Sequence, residues 1–441
     1  MNKVNFVSLS EVCTLEKGKT GLMKSIPGKY PLVATGKERR TCDTYQFDTK
    51  AVCIPLVSST GHGHASLKYV HYQEGKFALG TILVAVIPKD ENVLNAQFLH
   101  LYLSRLKDTI LVPLMTGAAN VTLTVTKLKT VKIPLPPIEE QLNIVSLFNR
   151  MDSEQAELTD EISNQQSLLK KLRQSILQDA IEGKLTASWR EQNPDVESAS
   201  LLLEKIKQEK EQLLKEKKIK KQKPLPPIDE DVIPFDVPDS WEWCRIGRLI
   251  YDTSGGKSPK CENSSVKGEE WGVIKTTAIQ DMFFDETKNK ILPNKFDVLE
   301  HYIIHNGDLL ITRAGPINRV GIVCEVRNLT KNLILSDKTI RMSHNKGFIS
   351  SSFMQYALSN PIIKKLMENN MTGMADSQVN ISQDNMKNFI SILAPIEEQK
   401  EIVKKIEILF KICDELETQI NSSKVNSEIL MQTVLKEAFD T

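Results

Sequence analysis

Two long stretches of the chain, residues 134–183 and 392–441, repeat apolar residues at alternating spacings of four and three. In the first stretch the pattern begins at Ile144, Phe148 and Met151. It continues through Leu158, Ile162, Leu172 and Ile176, and its counterparts are Ile402, Ile406, Leu409, Leu416, Ile420, Leu430 and Val434. Such spacing is typical of the a and d positions of a coiled coil. A helix of about 45 residues is roughly 65 Å long and cannot bury its own apolar stripe, so we expect the two helices to pair with each other.

The second stretch is a copy of the first at an offset of 258 residues. PPIEEQ at 136–141 matches APIEEQ at 394–399, and QSILQDAIEG at 174–183 aligns with QTVLKEAFDT at 432–441. Proline disfavours the helical conformation in the residue before it, and the helix dipole favours glutamates in a first turn. Each phrase therefore predicts a joint where a globular domain ends and a long helix begins, and this unit occurs twice with pseudo-two-fold symmetry.

The stretches that precede the joints, residues 1–133 and 241–391, have a mixed α and β texture. Short β-rich runs bounded by Gly, Asn, Asp and Pro lie at 51–59, 80–88, 307–315 and 319–326, and helical runs follow at 95–108 and 350–369. The predicted fold class is α+β, with two mixed domains joined by two long helices. The stretch 184–240 is interpreted as a charged linker, in which residues 201–223 form a solvated helix or are partly disordered.

The net charge of +1 conceals basic segments between acidic ones. Residues 1–133 carry 17 Lys and Arg against 9 Asp and Glu, and residues 241–391 carry 19 against 16. Basic domains attract phosphate backbones. Because the chain contains neither a run of ~20 apolar residues nor an apolar signal core at its N-terminus, we expect no membrane association and a cytoplasmic location.

The order and duplication of these motifs resemble those of the specificity subunit of type I restriction–modification systems. The resemblance covers essentially the whole chain and rests on the two joints, on NGDLLITRAG at 306–315 and on SWEWCRIGRLI at 240–250. It implies two target-recognition domains, each of which reads one half of a split site in double-stranded DNA. It also implies that the helices pair antiparallel, set the spacing between the half-sites and dock modification subunits, of which the repeat favours two. Motor-nuclease restriction subunits would join for cleavage.

The resemblance implies a chain without catalytic activity. S-adenosylmethionine, ATP and Mg²⁺ are expected in the partner subunits, which would methylate adenine or cleave the DNA, and no cofactor is expected in this chain. The sequence agrees, because it lacks the Asp- or Asn-Pro-Pro-aromatic loop of amino-methyltransferases. SGGKSP at 254–259 has Tyr251 where a phosphate-binding loop requires glycine.

The predicted DNA contacts are basic and polar residues in turn-rich loops, since cations bind phosphates and forked or amide side chains read base edges. In the first domain they are Lys37, Arg39, Arg40, His62, His64 and Lys68. In the second domain they are Lys257, Lys260, Lys275, Thr276, Arg313, Asn318 and Arg319. No metal site is expected, because His62 and His64 lack a third ligand at suitable spacing and no two cysteines form a C-x-x-C pair.

A different class of function also fits the pattern. The chain could be a coiled-coil scaffold or adaptor whose basic domains bind another polyanion or a protein. Sequence-specific DNA binding that weakens steeply with salt distinguishes the recognition subunit from such a scaffold.

Overall fold

In the computed structural model of the chain, the described residues are 5–60, 63–369, 371–373 and 378–439. They form two compact units, residues 1–164 with 420–441, and residues 165–419. Each unit therefore contains one mixed domain and parts of both long helices, so these units do not follow the predicted domain boundaries, which stay a prediction. No helix in the described ranges is long and apolar enough to cross a membrane.

The first unit is built on a four-stranded antiparallel sheet. Its strand order is Cys13–Lys17, Leu83–Pro88, Ala51–Pro55 and His71–Gln73. A second sheet has the order Arg40–Cys42, Tyr30–Val33, Lys76–Leu79 and Phe47–Asp48, and Phe6–Ser8 pairs with Lys132–Pro134. The helices are Leu9–Val12, Ala96–Arg105, Lys107–Ile110, Val125–Lys129 and the 3-10 turn Val112–Leu114. The apolar core lies between the first sheet and these helices.

The second unit repeats this sheet topology. Its four-stranded antiparallel sheet has the order Asp252–Gly255, Thr339–Ser343, Leu309–Thr312 and Val323–Glu325. The smaller sheets are Asn289–Ile291 with Trp271–Ile274 and Asn332–Ile334, Glu242–Arg245 with Ile390–Leu393, Ile279–Gln280 with Phe283–Phe284, and Ala314–Gly315 with Val379–Asn380 and Thr372–Gly373. The helices are Ala187–Gln192, Ala199–Lys215, Ile246–Leu249, Ser351–Ser359, Pro361–Glu368 and Gln383–Lys387, with 3-10 turns at Glu230–Val232, Thr276–Ala278, Glu300–Tyr302 and Ile317–Arg319. The strands and helices predicted from both domains are confirmed.

The predicted linker is folded onto the second domain. Ala199–Lys215, called here the linker helix, buries Leu202, Leu203 and Ile206. Its Lys210 Nζ donates to the carbonyls of Gly247, at 2.7 Å, and Ile250, at 2.9 Å. The expectation of a helix is thus met, but one of its faces is buried and not solvated.

The two long helices are Ile138–Ile181 and Ile396–Phe439, each of 44 residues. Within the second unit, Arg173 pairs with Asp414, Lys405 Nζ donates to Leu185 O, and Arg190 pairs with Glu398. Partner numbers fall on one chain segment as they rise on the other, which is the order of an antiparallel pair. The antiparallel pairing of these segments is as predicted.

The two predicted apolar rows are buried to different extents. On the first long helix, Phe148, Ile162 and Ile176 are between 1% and 8% exposed, and Leu169 continues the same heptad row at 7%, whereas Leu158 at 36% and Leu172 at 44% of the other row are exposed. On the second long helix, Ile402 and Ile406 are buried, Ile420 and Val434 are partly buried, and Leu416 at 40% and Leu430 at 60% are exposed. The expectation that both rows form the seam is therefore wrong for these leucines. The long helices are left with an exposed apolar surface.

The repeated phrase has a structural reason in its final glutamine. Gln141 and Gln399 are both fully buried. The side-chain oxygen of Gln141 accepts a hydrogen bond from Asn95 N at 2.8 Å, and its amide nitrogen donates to Val93 O at 2.9 Å and Pro136 O at 2.8 Å. Asn95 is the N-cap of helix Ala96–Arg105. One amide thus ties the long helix to the domain's helix and to the chain entering the joint.

The second copy makes the same three bonds. Gln399 accepts from the N-cap Ser350 N at 2.9 Å and donates to Phe348 O at 3.3 Å and Ala394 O at 2.8 Å. We call this arrangement the glutamine clamp. The clamp recurs in both units with the same class of partners. We conclude that the phrase is repeated because each domain must be held at a fixed angle to its long helix.

Replacing Gln399 with alanine should destabilise the second unit. The substitution leaves Ser350 N, Phe348 O and Ala394 O without their buried partner, which costs about 3 kcal/mol. Chemical denaturation followed by tryptophan fluorescence measures the loss. Lys400→Ala, one position further and exposed, is the control and should shift the free energy of unfolding by less than about 0.5 kcal/mol. Equal losses for the two variants would contradict the clamp.

Candidate nucleic-acid interface

In the first unit, Arg39 joins the predicted loop 36–41 to the strand His71–Gln73. Arg39 donates through Nε to Gln73 Oε1 at 2.9 Å, through Nη2 to Tyr72 O at 3.1 Å, and lies 3.2 Å from His71 Nδ1. Lys37 and Arg40 on either side are exposed. Arg39 therefore holds the loop in place, while Lys37 and Arg40 expose their charged groups to solvent.

The polar loop 58–68 is organised by hydroxyl groups. Ser58 Oγ donates to His64 O at 2.6 Å, and Thr60 Oγ1 lies 2.9 Å from Ser66 Oγ. Ser59 Oγ accepts from Lys68 N at 2.8 Å, and the Lys68 ammonium lies 5.5 Å from the ring of Tyr69. These hydrogen bonds hold the described part of the loop, called here the polar platform, in one conformation. His64 and Lys68 are exposed on this platform, and His62 lies outside the described residues.

A short hairpin containing Met-Thr-Gly packs beside this platform in the first unit. Thr122 forms bridges with both Val57 and Thr116, and Ser58 N donates to Val121 O at 3.0 Å. The second unit has the same three-stranded arrangement, in which Val379–Asn380 lies between Ala314–Gly315 and Thr372–Gly373. The described residues of each domain thus include an equivalent tip, defined here as the Met-Thr-Gly segment and the loop beside it, 57–60 in the first domain and 313–319 in the second. The two loops differ in sequence.

In the second unit, the predicted stretches meet around the loop from Arg313 to Arg319. Arg313 N donates to Lys338 O at 2.9 Å, and its guanidinium approaches Asn380 Oδ1 at 3.4 Å. Ser258 Oγ donates to Asp337 at 2.5 Å, which places Lys257 and Lys260 beside Lys338. Lys257, Lys260, Asn318 and Lys338 are exposed, and Lys275 and Thr276 are partly buried.

Arg319 is an internal residue and resembles Arg39 in this respect. Its Nη2 donates to Thr276 O and Ile279 O, both at 2.8 Å, and its Nη1 donates to Gln280 Oε1 at 3.3 Å. For Arg39 and Arg319 the geometry favours a role in positioning loops over a direct DNA contact. Contact by the other predicted residues stays a prediction.

The predicted Lys257 loop of the second domain has a counterpart in the first domain that was not predicted from the sequence. Gly18-Lys19-Thr20 and Gly256-Lys257-Ser258 follow the equivalent first strands of the two four-stranded sheets. A Cβ at Gly18 would lie 2.1 Å from Gly80 O, and one at Gly256 would lie 1.8 Å from Leu335 O. Both positions therefore require glycine, and the shared Gly-Lys-Thr/Ser phrase was the available signal. In the first domain the loop also exposes Lys24, Lys29 and the almost fully exposed Met23.

The described residues contain no group of three or more His, Cys, Asp and Glu side chains placed to hold a metal ion. What the loops offer is a set of exposed lysine, arginine, asparagine and histidine side chains on rigid, internally bonded supports. Such a surface can neutralise phosphates and read base edges.

A family model described as the Type I restriction modification DNA specificity domain matches residues 1–166 and 238–423. The chain belongs to this family. Its relatives include the type I restriction enzyme EcoEI specificity subunit of Escherichia coli, 37% identical over 334 residues, which are 66% of this chain and 56% of that protein. The EcoAI specificity subunit of the same species is 28% identical over 337 residues, or 66% and 55% of the two chains. The chain thus matches little more than half the length of these relatives.

Solved structures show the same fold. The HsdS subunit from Thermoanaerobacter tengcongensis superposes with a TM-score of 0.56 at 16% identity, covering 100% of this chain and 97% of that one. A chain from a structure concerned with complex assembly and conformational transition of the type I R-M system gives a TM-score of 0.63 at 15% identity, covering 100% and 98%. The fold of this chain, two α+β domains with two long helices, is therefore also found in these solved structures.

The Arg39 cluster predicts acid sensitivity of the first unit. Burial, and next the nearby Arg39 guanidinium, lower the pKa of His71 to about 4. A histidine whose pKa is depressed in the folded state contributes stability that is present above about pH 6.5 and is lost as the pH falls toward 4. Between pH 7 and pH 4 the wild type should lose about 2 kcal/mol more unfolding free energy than His71→Phe.

Urea denaturation at the two pH values measures this difference. His64→Phe, which changes an exposed histidine of the same domain, is the matched control and should keep the acid sensitivity of the wild type. Identical pH profiles for the wild type and His71→Phe would contradict the assignment of a buried neutral imidazole beside Arg39.

Proposed function

We propose that this chain is the DNA-recognition subunit of a type I restriction–modification complex. Each domain reads one half of a bipartite site in double-stranded DNA, and the long helices fix the spacing between the halves. The observation that carries the proposal is that one sheet topology and one glutamine clamp occur in both units, while the exposed tips carry different side chains. A duplicated framework with unlike tips suits a split site with unlike halves.

The basic loops support DNA as the ligand. Lys37, Arg40 and Lys68 in the first domain and Lys257 and Lys260 in the second are exposed. Phosphate contacts by such cations fix register, and the forked Arg313 and the amide of Asn318 have the chemistry to read base edges. The proposal therefore assigns phosphate binding to the lysines and base reading to residues near Arg313.

The exposed apolar surface of the long helices supports a role in assembly. Leu158, Leu172, Leu416 and Leu430 repeat at heptad positions without being buried, and exposed apolar patches of this kind mark protein interfaces. We propose that modification subunits, two of them by the internal repeat, dock here, and that restriction subunits join the same complex.

Under this proposal the chain is not itself an enzyme. S-adenosylmethionine, ATP and Mg²⁺ would be bound by the partner subunits, and the complex would act in the cytoplasm. This chain would supply only the choice of site and the placement of the partners on it.

Selection from a pool of random duplex DNA with the purified full chain tests the recognition role. The enriched sequences should share one motif of two unlike halves around a fixed gap. Affinity should fall steeply between 50 and 200 mM salt, by a factor on the order of 10³. Enrichment of a single unbroken motif would contradict the proposal of a bipartite site. Binding without sequence preference would favour the alternative function as a scaffold or adaptor.

Substitution at the second tip should affect one half of the motif. Arg313→Ala should weaken binding by about 10- to 100-fold and relax the preference in one half-site only, because a good base contact is worth about 1–3 kcal/mol of discrimination. Arg150→Ala on the first long helix removes an equally charged, exposed side chain and should leave the motif unchanged. Loss of preference in both halves at once would count against independent reading by the two domains.

A further inference from the structure

The linker helix ends in a dense cluster of lysines. Residues 215–223, called here the lysine turn, contain six lysines and one glutamate. All six lysines are exposed. Lys218 pairs with Glu216 at 2.8 Å and Lys223 pairs with Asp384 at 2.7 Å. The others, Lys215, Lys217, Lys220 and Lys221, have no side-chain hydrogen bond or ion pair among the interactions of the described residues.

The backbone of the turn favours glycine at a position where the chain has a lysine. Lys217 has a φ of 56°. Lys217 N donates to Leu214 O at 3.1 Å and Lys218 N donates to Leu213 O at 2.9 Å, which is the pair of bonds that closes a helix in a Schellman motif. Glycine is the favoured residue at the left-handed position of this motif. Lys217 therefore makes the turn less stable than glycine would at the same position.

The turn has a fixed place on the second domain. The linker helix is anchored by the Lys210 bonds to Gly247 and Ile250 and by Tyr251 Oη, which donates to Glu209 Oε2 at 2.5 Å. On the far side of the turn, Gln222 Nε2 donates to Tyr251 O at 3.0 Å. Both ends of the lysine turn are thus held against the strand that begins at Asp252.

This place adjoins the candidate interface of the second domain. Asp384, the partner of Lys223, lies in the short helix that follows Ile381, and Ile381 N donates to Arg313 O at 2.8 Å. The neighbouring Gln383 accepts from Thr253 Oγ1 at 3.1 Å. The lysine turn is therefore bonded to the segment 381–384, and other residues of that segment bond to Arg313 and to Thr253, the latter four positions before Lys257.

The acidic stretch that follows in sequence leads away from the turn. Residues 229–239 contain five acidic side chains and no basic one. The chain then reaches Ser240, whose carbonyl accepts from Ala199 N at 2.9 Å at the start of the linker helix. That helix has 17 residues, so its ends are about 25 Å apart. The lysine turn thus lies at the C-terminal end of the linker helix, and the acidic stretch leads back to its N-terminal end.

We infer that the lysine turn binds phosphates of the DNA that flanks the half-site read by the second domain. The inference rests on the proposed function and extends it to DNA outside the recognised bases. Lysine ammonium groups are point charges that neutralise phosphates without reading sequence. Each phosphate neutralised releases counterions and adds about 0.9 to the slope of log affinity against log salt.

The test is a full-length variant in which Lys217, Lys220 and Lys221 are changed to glutamine. Affinity for the selected motif and for unrelated duplex DNA should fall by the same factor, about tenfold near 0.1 M salt, and the salt slope should decrease by about 2 to 3. The preferred motif should not change. Fluorescence anisotropy across a salt series measures the affinities and slopes on both duplexes.

A second variant separates binding from folding. Lys217→Gly removes one charge but places the favoured residue at the left-handed position, so its melting temperature should rise while its DNA affinity falls about two- to threefold. The matched control changes Lys400, Lys404 and Lys411, three exposed lysines of the second long helix, to glutamine, and it should keep the wild-type salt slope.

The outcomes distinguish this inference from the proposed function. If the wild type selects a split motif but the triple variant keeps its affinity and salt slope, the lysine turn does not bind DNA and the inference is wrong. If the triple variant keeps DNA binding but loses an acidic protein partner, the turn is a protein-docking surface and the inference is equally wrong. If the wild type selects no motif, the proposed function itself fails.

Discussion

The glutamine clamp is the constraint on which the rest of the architecture depends. Under the proposed function, each domain must keep its tip at a defined angle to its long helix. One buried amide, on Gln141 or Gln399, bonds at once to a helix N-cap and to two carbonyls. Since a buried amide that loses these partners is costly, the joint has one stable geometry in each unit.

The two joints differ at the neighbouring glutamate. Glu398 is buried and accepts from Thr186 Oγ1 and Trp241 Nε1, both at 2.7 Å, and it also pairs with Arg190. The corresponding Glu140 is exposed. In the second unit the chain that leaves the first long helix is therefore fastened to the start of the second. The repeat conserves the clamp, while its surroundings follow the connectivity of each unit.

Patterns of spacing and repetition were enough to predict the fold class, the paired long helices and the β-rich runs around the tips. They did not indicate which apolar positions of the long helices stay exposed. Phe148 and Leu158 both occupy apolar heptad positions, and only the packing of the folded chain buries the first and exposes the second. Nor did the patterns separate Arg39 and Arg319, whose guanidinium groups are used internally, from exposed cations such as Arg40. The prediction of a solvated linker helix rests on the many lysines in its composition. Three apolar residues on one face are nevertheless sufficient to bury that face.

The central claim is that two unlike domains on one repeated framework choose a split DNA site for a modifying complex. A genome-wide map of methylated adenine, made in source cells with and without this gene, tests that claim most directly. The account predicts that one motif of two unlike halves around a fixed gap loses methylation when the gene is deleted. Identical maps from cells shown to produce the protein would contradict it.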